Sequence, residues 1–183
     1  MTKYYFDLGG EPSSLCKKGR HDRCAAYDNY VIRCTCACHG KPGSNDADWR
    51  HLLDADRRGL ILRPGCESED LDTAERILGH VLPPVLVAFL RQTDGFFDST
   101  GQYEAAWSLQ RIVAENTTRR GDAGVPMTLL GVGDDGAGGW FCICSDGHDG
   151  TVFHYSWIIS EAEPVSPDLR DFWPNWLDGS TRV

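Results

Sequence analysis

From Trp49 onward the apolar positions follow a helical spacing, then a strand spacing, then a helical spacing again. Trp49, Leu52 and Leu53 predict a short helix that Gly59 stops, and Leu60-Ile-Leu-Arg-Pro-Gly predicts a brief extended run ended by a turn. A stronger helix follows. Ser68 caps its first turn, Glu69 and Asp70 sit at its positive end, Leu71, Ala74, Ile77 and Leu78 recur at helical spacing, and Gly79 terminates it. Pro83-Pro84 opens a second helix, where missing N–H groups cost little; it runs through Val85, Ala88 and Phe89 and stops at Asp94-Gly95.

After Gly95 the period shortens. Tyr103 to Leu109, Met127 to Val132, Trp140 to Cys144 and Val152 to Trp157 are short, aromatic or β-branched, and separated by Gly/Asp clusters, as strands are. Asp134-Asp-Gly-Ala-Gly-Gly and Ser145-Asp-Gly-His-Asp-Gly read as loops, so the last three strands form an antiparallel meander. Leu169, Phe172, Trp173, Trp176 and Leu177 make the stripe of a closing amphipathic helix, capped by Ser166-Pro167 and kinked or split by Pro174. Helices, then strands, then a helix define an α+β domain.

Composition excludes several classes. The chain of 183 residues, 41% hydrophobic and 25% charged, is neither disordered nor fibrous. Its longest apolar run, Val81 to Leu90, is interrupted by Pro83 and Pro84 and falls short of the roughly 18–20 residues that span a bilayer. The first residues lack the basic, apolar and small-residue order of a secretory signal, so a cytoplasmic location is expected.

Charge divides the chain. Residues 1–45 hold seven basic against four acidic residues, a net of +3; residues 46–183 hold 11 basic against 23 acidic, a net of −12. Such a body repels nucleic-acid phosphates and favours a basic partner. The division coincides with Gly40-Lys-Pro-Gly-Ser-Asn-Asp-Ala, which reads as a linker. Two domains are expected: a Cys/His-rich module with its linker at 1–45, and an α+β domain at 46–183.

The body resembles the SUKH superfamily, which includes the fungal cell-wall-synthesis regulators and many bacterial immunity proteins. The pieces that carry the resemblance are Glu75-Arg-Ile-Leu-Gly-His-Val-Leu-Pro-Pro, Phe89-Leu, Asp94-Gly95, Trp107-Ser-Leu with Ile112, Leu129-Leu-Gly-Val-Gly-Asp-Asp-Gly-Ala-Gly-Gly, Gly150-Thr-Val-Phe-His-Tyr, and Leu169-Arg-Asp-Phe. Together they cover roughly residues 48–178. The resemblance implies a twisted, largely antiparallel sheet covered by helices, and binding rather than catalysis. In bacteria such proteins neutralise a protein toxin, often a nuclease, by stoichiometric binding, and an acidic body suits that task because it mimics a polyanion.

Nothing in the resemblance explains residues 1–45. Cys16, His21, Cys24, Cys34, Cys36, Cys38 and His39 fall within 24 residues, and in a reducing compartment clustered thiols point to metal. Thiolate and imidazole donors suit tetrahedral zinc and favour it over an iron–sulfur cluster. An extended Cys34–Cys38 would spread its ends over about 13 Å, whereas two sulfurs on one zinc lie less than about 4 Å apart. Either the segment folds into a knuckle around one zinc held by four of the seven, or two zinc ions share a bridging thiolate. In both cases the metal staples a segment too small to build its own core.

Other residues fit no catalytic pattern. Cys142 and Cys144 alternate with Phe141 and Ile143 and read as small buried hydrophobes. Ser145, His148 and Asp149 are too close in one turn to converge as a triad. Asp134-Asp135 lacks the spacing of a calcium loop, and the glycines around it precede a strand instead of a helix, against a nucleotide fingerprint. The expectation is a non-enzymatic, toxin-neutralising protein. Its candidate contact residues are the acidic clusters Glu67, Glu69, Asp70 and Asp72, and Asp134 with Asp135. The alternative is a zinc-containing regulatory or adaptor protein whose N-terminal module docks a host partner.

Overall fold

The computed structural model describes residues 27–28, 32–33, 48–120, 125–145 and 150–183. The chain divides into two units, Met1–Gly43 and Ser44–Val183. In the first, strands β1 (Tyr27–Asp28) and β2 (Ile32–Arg33) pair antiparallel, Tyr27 opposite Arg33. All seven candidate metal ligands lie outside the described residues.

The second unit is an α+β domain. Helices α1 (Trp49–Leu52) and α2 (Ala55–Arg58) lead into β3 (Ile61–Leu62), α3 (Ser68–Leu78), α4 (Pro84–Gln92), β4 (Phe96–Phe97) and β5 (Glu104–Ala106). Then come α5 (Leu109–Arg119), β6 (Leu129–Asp134), β7 (Trp140–Cys144), β8 (Val152–Ser156), β9 (Glu161–Ser166) and α6 (Leu169–Leu177). Strands β3 to β9 form one sheet in sequence order, each pair antiparallel.

The α3–α4 corner shows why its residues are placed as they are. Gly79 ends α3 at φ +77°, a conformation that costs glycine least. Glu75 reaches forward and its Oε1 accepts the Leu82 N–H at 2.8 Å, while Leu82 and Pro83 bury themselves and Pro84 starts α4. The turn after α4 is as tightly determined: a Cβ on Gly95, at φ +77°, would stand 2.4 Å from the Ala106 carbonyl oxygen.

Alternation along β7 builds two aromatic layers. Trp140 meets Trp107 and Trp157 edge-on with ring centres 5.0 and 5.1 Å apart. Phe141, on the opposite face, packs on Phe172, Trp173 and Trp176 of α6 at 4.7, 5.9 and 4.7 Å. Each such pair contributes about 0.5–1.5 kcal/mol beyond its buried area. Cys142 lies fully buried on the Trp140 side, and burial pushes its thiol well above the usual range.

Several elements differ from the sequence expectation. The segment Tyr103 to Leu109 is strand only over Glu104–Ala106; Ser108 then caps α5, its Oγ accepting the Arg111 N–H at 3.3 Å. Helix α3 begins at Ser68 itself, after an extended Glu67 that makes no side-chain cap. The cap of α6 is Asp168, whose Oδ1 accepts from Arg170 N at 2.7 Å, and α6 continues through Pro174 to Leu177 without splitting. Strand β9 joins the sheet where no strand was expected, as its edge.

Candidate functional site

The polar chemistry of the body is concentrated where β5, α5 and the β6–β7 hairpin meet. Glu104 Oε1 accepts from the Ser108 N–H and from Arg63 Nη2, each at 3.1 Å, and Oε2 accepts from Arg111 Nη1 at 3.2 Å. The other arm of the Arg111 fork donates to Asp134 Oδ2 at 2.7 Å, where Trp107 Nε1 also donates at 2.8 Å. The guanidinium of Arg111 lies 4.6 Å over the Trp107 ring, and that of Arg63 lies 4.8 Å over Phe97. A planar cation thus bridges two carboxylates and stacks on an indole, a use that suits arginine and not lysine. Tyr103 donates to the Asp134 carbonyl, and burial with the neighbouring Asp134 and Asp135 carboxylates pushes its phenol up.

Asp135 turns the other way. Its Oδ1 accepts the N–H groups of Ala137 and Gly139 at 2.7 and 2.8 Å, and its Oδ2 meets His154 Nε2 at 2.9 Å. Burial works to raise its carboxyl, yet these bonds outweigh burial and hold it below the usual carboxylate range. Gly139 is needed for this clasp, since a Cβ there would stand 2.1 Å from His154 Nε2. Asp134, the last residue of β6, therefore serves the Trp107–Arg111 side, and Asp135, the first residue of the turn, the Phe141–His154 side.

Two further polar groups hold the α5 scaffold. Asn116, buried on α5, exchanges two bonds with Gly131, Nδ2 to the carbonyl and Oδ1 from the N–H, each at 2.9 Å, and serves β6 as a surrogate strand beside its bulge. Asp94 Oδ1 accepts the first N–H of α5, that of Leu109, at 2.6 Å, and the Cys66 thiol at 3.3 Å. Burial and this bond push the Cys66 thiol up to about 12.

The acidic residues singled out from the sequence fall into two physical states. Glu67, Glu69, Asp70 and Asp72 are all exposed at the start of α3, and among the described residues none meets a basic side chain. Asp134 and Asp135 are 16% and 10% exposed and are saturated by Arg111, Trp107, His154 and backbone N–H groups. A shallow depression of about 230 Å³ lies at α1–α2, lined by Asp48, Arg50, His51, Asp54, Ala55 and Asp56. Among the described residues no three His, Cys, Asp or Glu side chains converge as a metal site. No described helix is long and apolar enough to cross a membrane.

What sequence reasoning missed is the Arg63–Glu104–Arg111–Asp134 ladder. A signal was present in Ser108-Leu-Gln-Arg-Ile-Val, a cap followed by apolar residues at helical spacing, which places Arg111 on a helix.

A seven-stranded antiparallel sheet with helices on it, tied by an arginine–carboxylate ladder, defines an α+β domain. The profile of the SMI1 / KNR4 family (SUKH-1) matches residues 65–175, more than half of the chain, and the protein belongs to that family. The matched span contains every residue of the ladder except Arg63. No curated protein matches the chain.

Proposed function

We propose that this protein is an immunity-type antidote that neutralises a basic protein toxin, a nuclease being the chemistry best suited, by stoichiometric binding rather than catalysis. Family membership supports the binding role. The observation that carries the choice of partner is the exposed carboxylate group Glu67, Glu69, Asp70 and Asp72, which meets no basic side chain among the described residues, on a body whose net charge is −12. An exposed anionic patch on an acidic inhibitor steers it toward a cationic active-site cleft and raises the association rate.

The test is affinity purification of the full chain from its native cells, without chelator, followed by mass spectrometry and an activity titration of what co-purifies. The expected partner carries a basic toxin domain that loses activity at one equivalent. Recovery of housekeeping or wall-synthesis proteins alone would favour the regulatory, adaptor reading.

The Cys/His-rich segment enters this proposal as a zinc-held appendage, on the strength of its seven thiolate and imidazole donors. The full chain is expected to carry one or two zinc ions by elemental analysis, and replacing Cys34, Cys36 and Cys38 with Ser is expected to lower that number. Unchanged zinc after the triple change would show that the ligands lie elsewhere.

A further inference from the structure

The β8–β9 hairpin ends in four residues, Trp157 to Ser160, between the last cross-strand pair Ser156–Glu161. Trp157 turns inward, edge-on to Trp140 and Tyr155 at 5.1 Å each, and anchors the tip to the aromatic layer. Ile158 and Ile159 turn outward, 94% and 58% exposed. Tight turns favour Gly, Asn, Asp and Ser, and here Ser160 alone takes the left-handed conformation, at φ +55°. Two β-branched apolar side chains at a solvent-facing tip contribute nothing to the core.

The neighbouring edge strand is protected in the ways that prevent association. Strand β9 carries Glu161 and Glu163, both exposed, Pro164, which has no N–H to offer, and a bulge opposite Val152–Phe153. A second copy pairing along β9 would bring glutamates against glutamates, whereas a cationic rim would meet them. The apolar tip stands beside this protected edge, on an anchored hairpin.

We propose that Ile158 and Ile159 form an apolar plug that inserts into a recess rimmed by Lys and Arg on a protein partner, with Glu161 and Glu163 meeting the rim. The partner is the basic toxin of the preceding section, and the proposal rests on that reading. Binding energy in such contacts concentrates in a few side chains seated in well-packed, desolvated pockets and ringed by contacts that exclude water.

The test uses the full chain in its native cells. A photo-crosslinking amino acid placed at position 158, with the exposed position 127 ahead of β6, at the other end of the sheet, as control, reports by peptide mapping what lies against the tip. The paired change Ile158→Ser and Ile159→Ser is expected to leave the unfolding midpoint unchanged and to weaken recovery of the basic partner about tenfold or more. Glu161→Lys with Glu163→Lys is expected to weaken it further at low salt. An adduct to a second copy of this chain, or to a domain without net positive charge, would overturn the proposal. Undiminished recovery by the serine variant would overturn it alone, whereas failure of the wild-type chain to recover any basic toxin would overturn the functional reading first.

Discussion

Glu67, Glu69, Asp70 and Asp72 on α3, and Glu104, Asp134 and Asp135 around the β6–β7 hairpin, are groups of carboxylates of similar size in one acidic domain, yet they differ in what their charge can do. The α3 group is exposed and meets no cation among the described residues. The hairpin group is shielded and satisfied by Arg63, Arg111, His154, Trp107 and backbone N–H groups. Negative charge bound inside a ladder holds the fold and contributes little to the outer field. Charge left on an exposed turn does the reverse, because surface carboxylates add little stability and much long-range attraction.

Removing the ring that organises the ladder is the severest way to break this contrast. Trp107 is fully buried, and Trp107→Ala is expected to cost about 3–5 kcal/mol in urea unfolding, through the cavity and the loss of the Asp134 bond. Arg111→Met keeps much of the stem but takes one charged partner from Glu104 and the only one from Asp134 among the described residues, leaving Arg63 and Trp107 in place, and about 2–3 kcal/mol is expected to go. Asp135→Asn keeps the shape of the clasp and loses its charge, for about 1 kcal/mol.

Acid sharpens the same contrast. The folded Asp135 carboxyl titrates below its unfolded value of 3.8, so its contribution is complete above that value and is lost as pH falls through the lower, folded one. Unfolding midpoints taken between pH 6 and 3 are expected to fall at the acid end in the wild type, and less steeply in Asp135→Asn. Neutralising α3 with Glu69→Gln or Asp70→Asn is expected to have the smallest effect on stability, about 0.3–1 kcal/mol each, since only the favourable field at the helix start is lost.

The division between what was legible and what was not follows the same lines. Helices α3, α4 and α6 could be read because their apolar stripes are regular and glycine or proline marks their ends. Helix α5 was hidden because its stripe includes the polar Asn116, and because Thr117 and Thr118 are weak helix formers that here bond back to Val113 and Ala114. Strand β9 was hidden because an edge strand tolerates the glutamates and proline that argue against strand elsewhere. The acidity of Asp134-Asp135 was plain in the sequence. That the two side chains go to different partners depends on Arg111 and His154, which are 23 and 19 residues distant along the chain, and no local pattern carries that pairing.

The measurement that bears most directly on the proposed antidote role is a titration of the co-purified toxin's activity with the full chain. It compares wild type with the reversal Glu67→Lys, Glu69→Lys, Asp70→Lys and Asp72→Lys at low and at high salt. Complete inhibition at one equivalent by the wild type is expected, with an association rate about 10–100-fold slower for the reversed variant at low salt and a smaller difference at high salt. Equal rates for both proteins at every salt concentration, or no inhibition by the wild type at any ratio, would contradict the account.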